Sequence, residues 1–214
     1  GDGGGAWGDY DNDGYQDLFV AGGESFINSL HRNMGGETFT NVAESAGLAQ
    51  KTGAALGAWG DYDNDGFLDL FAPSYSGPTN ALYHNNGDGT FTAIDVGSPT
   101  YEGSSRIGTA WADYDNDGFL DLIISCGNGQ NMHNLLYRNQ GNGNHWLKVR
   151  LIGTTSNRAG IGAKIRVKAS LRGKTIWQLR ELSGNSGWSG GQGLVTHFGL
   201  GDATNIDVVR IEWP

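Results

Sequence analysis

The chain has little of what braces small secreted proteins and little of what crosses a membrane. Its one cysteine, Cys126, rules out an internal disulfide, so some other device must hold the loops. No apolar run approaches the roughly 18 residues of a membrane-spanning helix. A charged-then-apolar leader is also missing from the first residues, which reads as a soluble segment, already processed or excised. Basic side chains are scarce early on: residues 1–143 hold 4 Lys or Arg against 19 Asp or Glu, a net charge of −15. Such a surface repels a phosphate backbone and argues against nucleic acid as a partner.

Glycine, at 37 residues, and aromatics, at 11%, are abundant, while proline occurs only 4 times. That mix suits many short strands joined by tight turns. The 214 residues suffice for one large all-β domain or two smaller ones. Charge reverses late in the chain, with 10 basic and 4 acidic side chains over 144–214, a net +6. The reversal marks a boundary near Asn144.

The string from Ala6 to Leu18, with Trp7-Gly8-Asp9-Tyr10-Asp11-Asn12-Asp13-Gly14 at its heart, recurs at Ala58–Leu70 and Ala110–Leu122, offset by 52 residues each time. Weaker echoes keep the same phase: Leu30 to Asn33, Leu82 to Asn85 and, after a two-residue insertion, Leu136 to Asn139; then Thr38-Phe39-Thr40 and Thr90-Phe91-Thr92. Short apolar runs such as Leu70-Phe71-Ala72 and Leu122-Ile123-Ile124, bounded by turn residues, read as buried strands. Asn86-Gly87-Asp88-Gly89 carries hairpin-turn chemistry. Each unit therefore predicts about four short strands, the pattern of a propeller blade. The expected fold is all-β: three blades at approximately 1–52, 53–104 and 105–143, forming an incomplete or open propeller, then a small β-sandwich-like domain over 144–214.

Within each repeat runs Asp-x-Asp-x-Asp-Gly-x-x-Asp: Asp9, Asp11, Asp13 and Asp17; Asp61, Asp63, Asp65 and Asp69; Asp113, Asp115, Asp117 and Asp121. Alternate carboxylates on a curling chain converge on one hard cation, and calcium accepts about 6 to 8 oxygens in flexible geometry. The carbonyls of Tyr15, Phe67 and Phe119 stand where an EF-hand-like loop supplies its seventh-position ligand. An EF-hand itself is excluded, because its closing Glu is replaced by Val20, Ala72 and Ile124. Magnesium, which keeps its waters, suits a cage of four carboxylates less well. Carboxylates so crowded repel one another unless a cation compensates them, so three calcium ions are expected, in a structural role.

The Ala-Trp-Gly-Asp-Tyr-Asp-Asn-Asp-Gly loop followed by Asp-Leu-Phe resembles FG-GAP/VCBS repeats, whose blades carry calcium. Beyond residue 143, Asn144-His145-Trp146-Leu147-Lys148-Val149, Asn157-Arg158-Ala159-Gly160-Ile161-Gly162-Ala163, Arg180-Glu181-Leu182-Ser183-Gly184 and His197-Phe198-Gly199-Leu200-Gly201 resemble an ASPIC/UnbV domain. The resemblance implies an extracellular or cell-surface, secreted protein and no settled activity. Three blades cannot close a ring that needs about 4 to 8. The chain is then a piece of a longer propeller, or is completed by other chains, or forms an open arc.

Enzyme signatures are weak. Gly187-Trp188-Ser189-Gly190-Gly191 matches a nucleophile elbow, but no helix is expected after it. His31, His84, His133, His145 and His197 show no zinc spacing and read as satisfied surface or core histidines. Cys126, following an apolar run, reads as a buried small hydrophobe. Trp7, Trp59 and Trp111 share one repeat phase and suggest packing between blades, whereas Trp188 is a candidate ligand contact. No catalytic residue or organic cofactor is expected. The leading expectation is a non-catalytic, calcium-stabilised scaffold for adhesion or self-assembly, with acidic blades meeting the basic C-terminal domain of a neighbouring copy as a homo-oligomer or filament. Alternatives are a carbohydrate-binding module, with glycans as partners, and a segment of a larger secreted hydrolase or lyase.

Overall fold

Residues 3–76, 79–101, 106–127, 133–184 and 193–214 are described by the computed structural model. In the first repeat, β1 (Gly5–Gly8), β2 (Asp17–Val20), β3 (Ser29–Asn33) and β4 (Phe39–Asn41) form one antiparallel sheet in chain order. The second repeats this with β5 (Ala58–Gly60), β6 (Asp69–Ala72), β7 (Ala81–Asn85) and β8 (Phe91–Ile94). Register repeats too, because Trp7 lies opposite Leu18, Trp59 opposite Leu70 and Trp111 opposite Leu122. A single helical turn, α1 (Ser98–Tyr101), precedes β9 (Arg106–Ala112), β10 (Asp121–Cys126) and β11 (Leu135–Tyr137) of the third repeat. The fold is all-β, with open propeller-like blades.

The third sheet departs from four strands, having three among the described residues. The two-residue insertion before Leu136 brings His145 to the phase of Phe39 and Phe91. That segment, β12 (His145–Arg150), leaves the blade and pairs antiparallel with β15 (Val195–Gly201). A second late sheet joins β14 (Lys174–Glu181), β13 (Lys164–Leu171) and β16 (Ile206–Glu212) in that spatial order. Alternation along β13 turns Ile165, Val167, Ala169 and Leu171 inward, where they share a core with Phe198 and Leu200 of β15. Two small sheets facing one core form the sandwich-like arrangement.

Blade burial follows from position in the stack. All four residues of β6 are buried, since the middle blade is covered on both faces. Along β2 only Asp17 and Phe19 are buried, because one face of the first blade has no neighbour among the described residues. Trp59 fills the first joint, stacked on Tyr10 at 6.2 Å between centroids and edge-on to Phe19. Trp111 fills the second, stacked on Tyr62 at 6.2 Å and edge-on to Phe71. Each indole also donates backwards, Trp59 Nε1 to Ala6 O at 3.0 Å and Trp111 Nε1 to Ala58 O at 3.2 Å. The ring thus has an apolar body in the core and a satisfied N–H. Cys126 is half-buried rather than buried, because it ends β10 where the register shifts. Among the described residues no helix is long and apolar enough to cross a membrane.

Candidate metal loops and their C-terminal cover

Each Asp-rich loop links the first two strands of its blade and is shaped by its own carboxylates. The glycines at the bend, Gly14, Gly66 and Gly118, have φ of 93°, 96° and 95°, a region that side chains resist. Their N–H groups donate to the first carboxylate of the loop, Asp9 Oδ2 at 3.1 Å, Asp61 Oδ2 at 2.9 Å and Asp113 Oδ2 at 2.7 Å. The third carboxylates accept from Tyr15, Phe67 and Phe119 N–H, each at 3.0 Å. The last carboxylate is a brace. Asp17, Asp69 and Asp121 each accept one N–H from their own loop, at Tyr10, Tyr62 and Tyr114, and one at 2.8 Å from the end of the third strand, at Asn33, Asn85 and Asn139.

Carboxylate oxygens lie within 4.8 Å of one another in three groups that could hold a metal ion: Asp9, Asp11 and Asp13; Asp61, Asp63 and Asp65; Asp113, Asp115 and Asp121. Asp17 and Asp117 fall outside such groups among the described residues, and Asp69 joins Asp63 and His84 in a fourth. The donor set fits a hard cation. Asp9 Oδ1 and Asp113 Oδ1 are buried without a hydrogen-bond partner, an expensive condition for a charged oxygen. Burial raises Asp9, Asp17 and Asp69 to a pKa of about 7, and raises Asp61 well above the usual carboxylate range. An ion in the loop would reverse that penalty by favouring the charged form.

Sequence reasoning missed a basic side chain contributed by the third strand. Arg32, His84 and Arg138 share one repeat phase, immediately before the bracing asparagines. Arg32 Nε is 2.6 Å from Asp11 and its other arm 3.2 Å from Asp13; Arg138 repeats this with Asp115 at 2.6 Å and Asp117 at 3.3 Å. His84 Nδ1 lies 3.1 Å from Asp69 and 3.6 Å from Asp63, and that contact with Asp69 raises its pKa. His84 is therefore part of the loop's surroundings, not an unrelated surface histidine. The echo Leu-x-[Arg/His]-Asn held this signal, in its third position.

The late sheets lie over the same loops. Gly199 N donates to Asp61 Oδ2 at 3.1 Å, and Gly201 N to Asn64 O at 2.7 Å. Arg172 reaches Asp65 at 3.3 Å, Lys148 pairs with Asp113, and Arg166 contacts Gly14 O at 3.4 Å. Burial lowers the His197 pKa to about 4, so its ring is neutral; Nε2 must then carry the hydrogen that it gives to Gly118 O at 3.0 Å. Arg180 is buried over the Phe198 ring and donates to Leu179 O and Gln178 Oε1. Two of the basic side chains that composition placed in 144–214, Lys148 and Arg172, thus meet the acidic loops of their own chain. A cavity of about 450 Å³ separates the innermost strands from this cover, lined by Trp7, Trp59, Trp111, Arg180 and His197 among others. Trp188 and Ser189 lie outside the described residues.

Stacked blades, two of four strands and a third of three among the described residues, each closed at one end by an Asp-rich loop, define a repeat protein of the bladed class. The FG-GAP-like repeat profile matches residues 9–72 and 61–124, and the chain belongs to that family. Residues 153–214 match the ASPIC and UnbV family. Cartilage acidic protein 1 from Homo sapiens is 31% identical over 164 residues, which cover 72% of this chain and 24% of that protein. The proteins of the same name from Mus musculus and Xenopus tropicalis are 31% and 30% identical over the same shares. The chain spans about a quarter of the length of these curated relatives.

Proposed function

We propose that the chain is a calcium-stabilised, non-catalytic scaffold that works outside the cell in adhesion-type contacts, each repeat holding one calcium ion through its Asp-rich loop. The observation that carries this reading is the buried, unpartnered Oδ1 of Asp9 and of Asp113, in loops that draw carboxylates together without enough positive charge to match. In such loops metal binding becomes folding free energy. Weak sites of the extracellular kind, with Kd of about 10⁻⁴ to 10⁻³ M, fill outside cells and stay empty in the cytosol. The relatives are named for cartilage, in keeping with an extracellular setting. Self-association through charge has to compete with contacts already made within the chain, since Lys148 and Arg172 sit on the chain's own carboxylates. The adhesion partner is then met by other surfaces.

Elemental analysis of the protein equilibrated in millimolar calcium, together with thermal unfolding with and without chelator, tests the reading. Three calcium ions per chain and a large fall in Tm on chelation are expected. No bound calcium, with a melt indifferent to it, overturns it.

A further inference from the structure

The cavity of about 450 Å³ between the blades and the late sheets falls within the roughly 300–1,000 Å³ of small-molecule sites. Trp59, Trp111 and Leu182 give it apolar walls. Two polar groups on the same wall, both from the late sheets, are incompletely used. Arg180 is only 9% exposed and makes no ion pair among the described residues, Glu181 on the same wall included. Of the five N–H groups of its guanidinium, one meets Leu179 O at 2.9 Å and one Gln178 Oε1 at 3.3 Å. His197 gives its Nε2 hydrogen to Gly118 O, and its Nδ1 is buried without a hydrogen-bond partner. Burial, with the field of Arg180 added, keeps a second hydrogen off that ring, so Nδ1 is left as an acceptor.

Both groups are tied to the Asp-rich loops. Arg180 donates to Gln178, whose Nε2 donates to Gly199 O at 2.7 Å, and Gly199 N donates in turn to Asp61 Oδ2 at 3.1 Å. His197 holds the carbonyl of Gly118, the bend glycine of the third loop. The carboxylates whose field reaches Arg180 are Asp61 and Asp9, each the first of its loop. With calcium in those loops, the reading on which this inference rests, their charge is spent on the ion and Arg180 is left as a buried cation without a counter-charge. Such a charge recruits an anion.

We propose that the cavity binds the anion of a small α-hydroxy acid, with its carboxylate on Arg180 and its hydroxyl donating to His197 Nδ1, and that this anion and calcium are taken up together. The guanidinium fork matches a planar carboxylate. The hydroxyl is the donor that Nδ1 lacks, and the apolar walls suit a hydrocarbon remainder. Coupling follows from the relay of hydrogen bonds. An anion that fixes Arg180 and Gln178 also fixes Gly199 against Asp61, and calcium removes the carboxylate charge that competes with the anion.

Isothermal titration calorimetry of the full chain with mandelate, phenylacetate and sulfate, in millimolar calcium and in chelator, tests this, with bound calcium measured by elemental analysis on the same samples. One mandelate per chain is expected. Its Kd should be at least about tenfold lower in calcium than in chelator. In calcium it should also be at least about tenfold lower than that of phenylacetate, which lacks the hydroxyl, or of sulfate. Arg180→Met should abolish binding, and His197→Phe should bind mandelate and phenylacetate alike. Circular dichroism and thermal unfolding verify that the variants are folded; should Arg180→Met fail that check, Arg180→Lys, which keeps the charge and loses the fork, should weaken mandelate about tenfold. A calcium-loaded chain that ignores mandelate overturns the site and leaves the calcium reading intact. Sulfate bound as tightly as mandelate overturns the hydroxy-acid assignment. Mandelate bound equally well with and without calcium overturns the coupling, and a chain that takes up no calcium overturns both the coupling and the reading beneath it.

Discussion

The second and third loops spell the same nine residues, yet one is enclosed and the other is open. Asp61, Asp65 and Asp69 are all buried, and Asp61 Oδ2 accepts Gly66 N within its loop and Gly199 N from the late sheets. Asp115 and Asp117 of the third loop are partly or fully open to solvent, their outward oxygens met by the exposed arms of Arg138. The middle blade has neighbours on both faces and a cover above, whereas among the described residues the third has a neighbouring blade on one face only. Identical ligand chemistry therefore carries different energetic weight according to what surrounds it, because an uncompensated charge costs more as water is withdrawn.

The largest expected effect breaks this comparison if it fails. Asp61→Ala removes a buried ligand and leaves Gly66 and Gly199 N–H without their acceptor, and should cost about 3–5 kcal/mol in millimolar calcium. In a chain of this size that lowers Tm by about 10 °C or more. Asp115→Ala, at the open rim, should cost about 1 kcal/mol or less by the same thermal unfolding. Equal losses at the two sites would show that enclosure does not matter.

Next in size is a pair of glycine substitutions with similar backbone cost. Gly66 and Gly89 have φ of 96° and 88°, so alanine is strained at both. A Cβ on Gly66 would run into Leu171 of β13, while one on Gly89 would meet nothing within 4 Å. Gly66→Ala should therefore be the more destabilising by about 1–3 kcal/mol. Denaturant midpoints for the two variants isolate what the late sheets contribute to the loop; matching midpoints would count against a tight cover.

The smallest effect concerns pH. Asp9, Asp17 and Asp69 have folded-state values raised from 3.8 to about 7, so in chelator their contribution to stability is full below about pH 4 and is lost as pH rises through about 7. Calcium requires the ionised form and reverses the slope. The gain in Tm on adding calcium should grow by a few degrees between about pH 5 and pH 8. A gain that stays flat with pH would mean that these carboxylates do not sense the ion.

The repeat, the blades, the clustering of the carboxylates and the packing of Trp59 and Trp111 were legible because a fixed period turns local chemistry into geometry. Less was legible where contacts are made by backbone or by residues far apart in the chain. Nothing in the spelling of Gly199 announces that its N–H will meet Asp61, 138 residues earlier. The basic side chain of the third strand escaped notice because it alternates between arginine and histidine. The loss of a fourth strand from the third blade was marked only by a two-residue insertion, and the competing partner, β15, lies about fifty residues downstream in another sheet.

The departure of β12 bears on how the gene can be divided. Ending a fragment at residue 143 looks natural from composition, but it would cut immediately before the strand that carries the third repeat's rhythm into the last two sheets. It would also remove the Asn144 amide from Asp63 O, the Lys148 ammonium from Asp113 and the peptide hydrogen of Gly199 from Asp61. Either half expressed alone would present a raw surface that the intact chain conceals, so a soluble truncation is better sought by keeping both halves together.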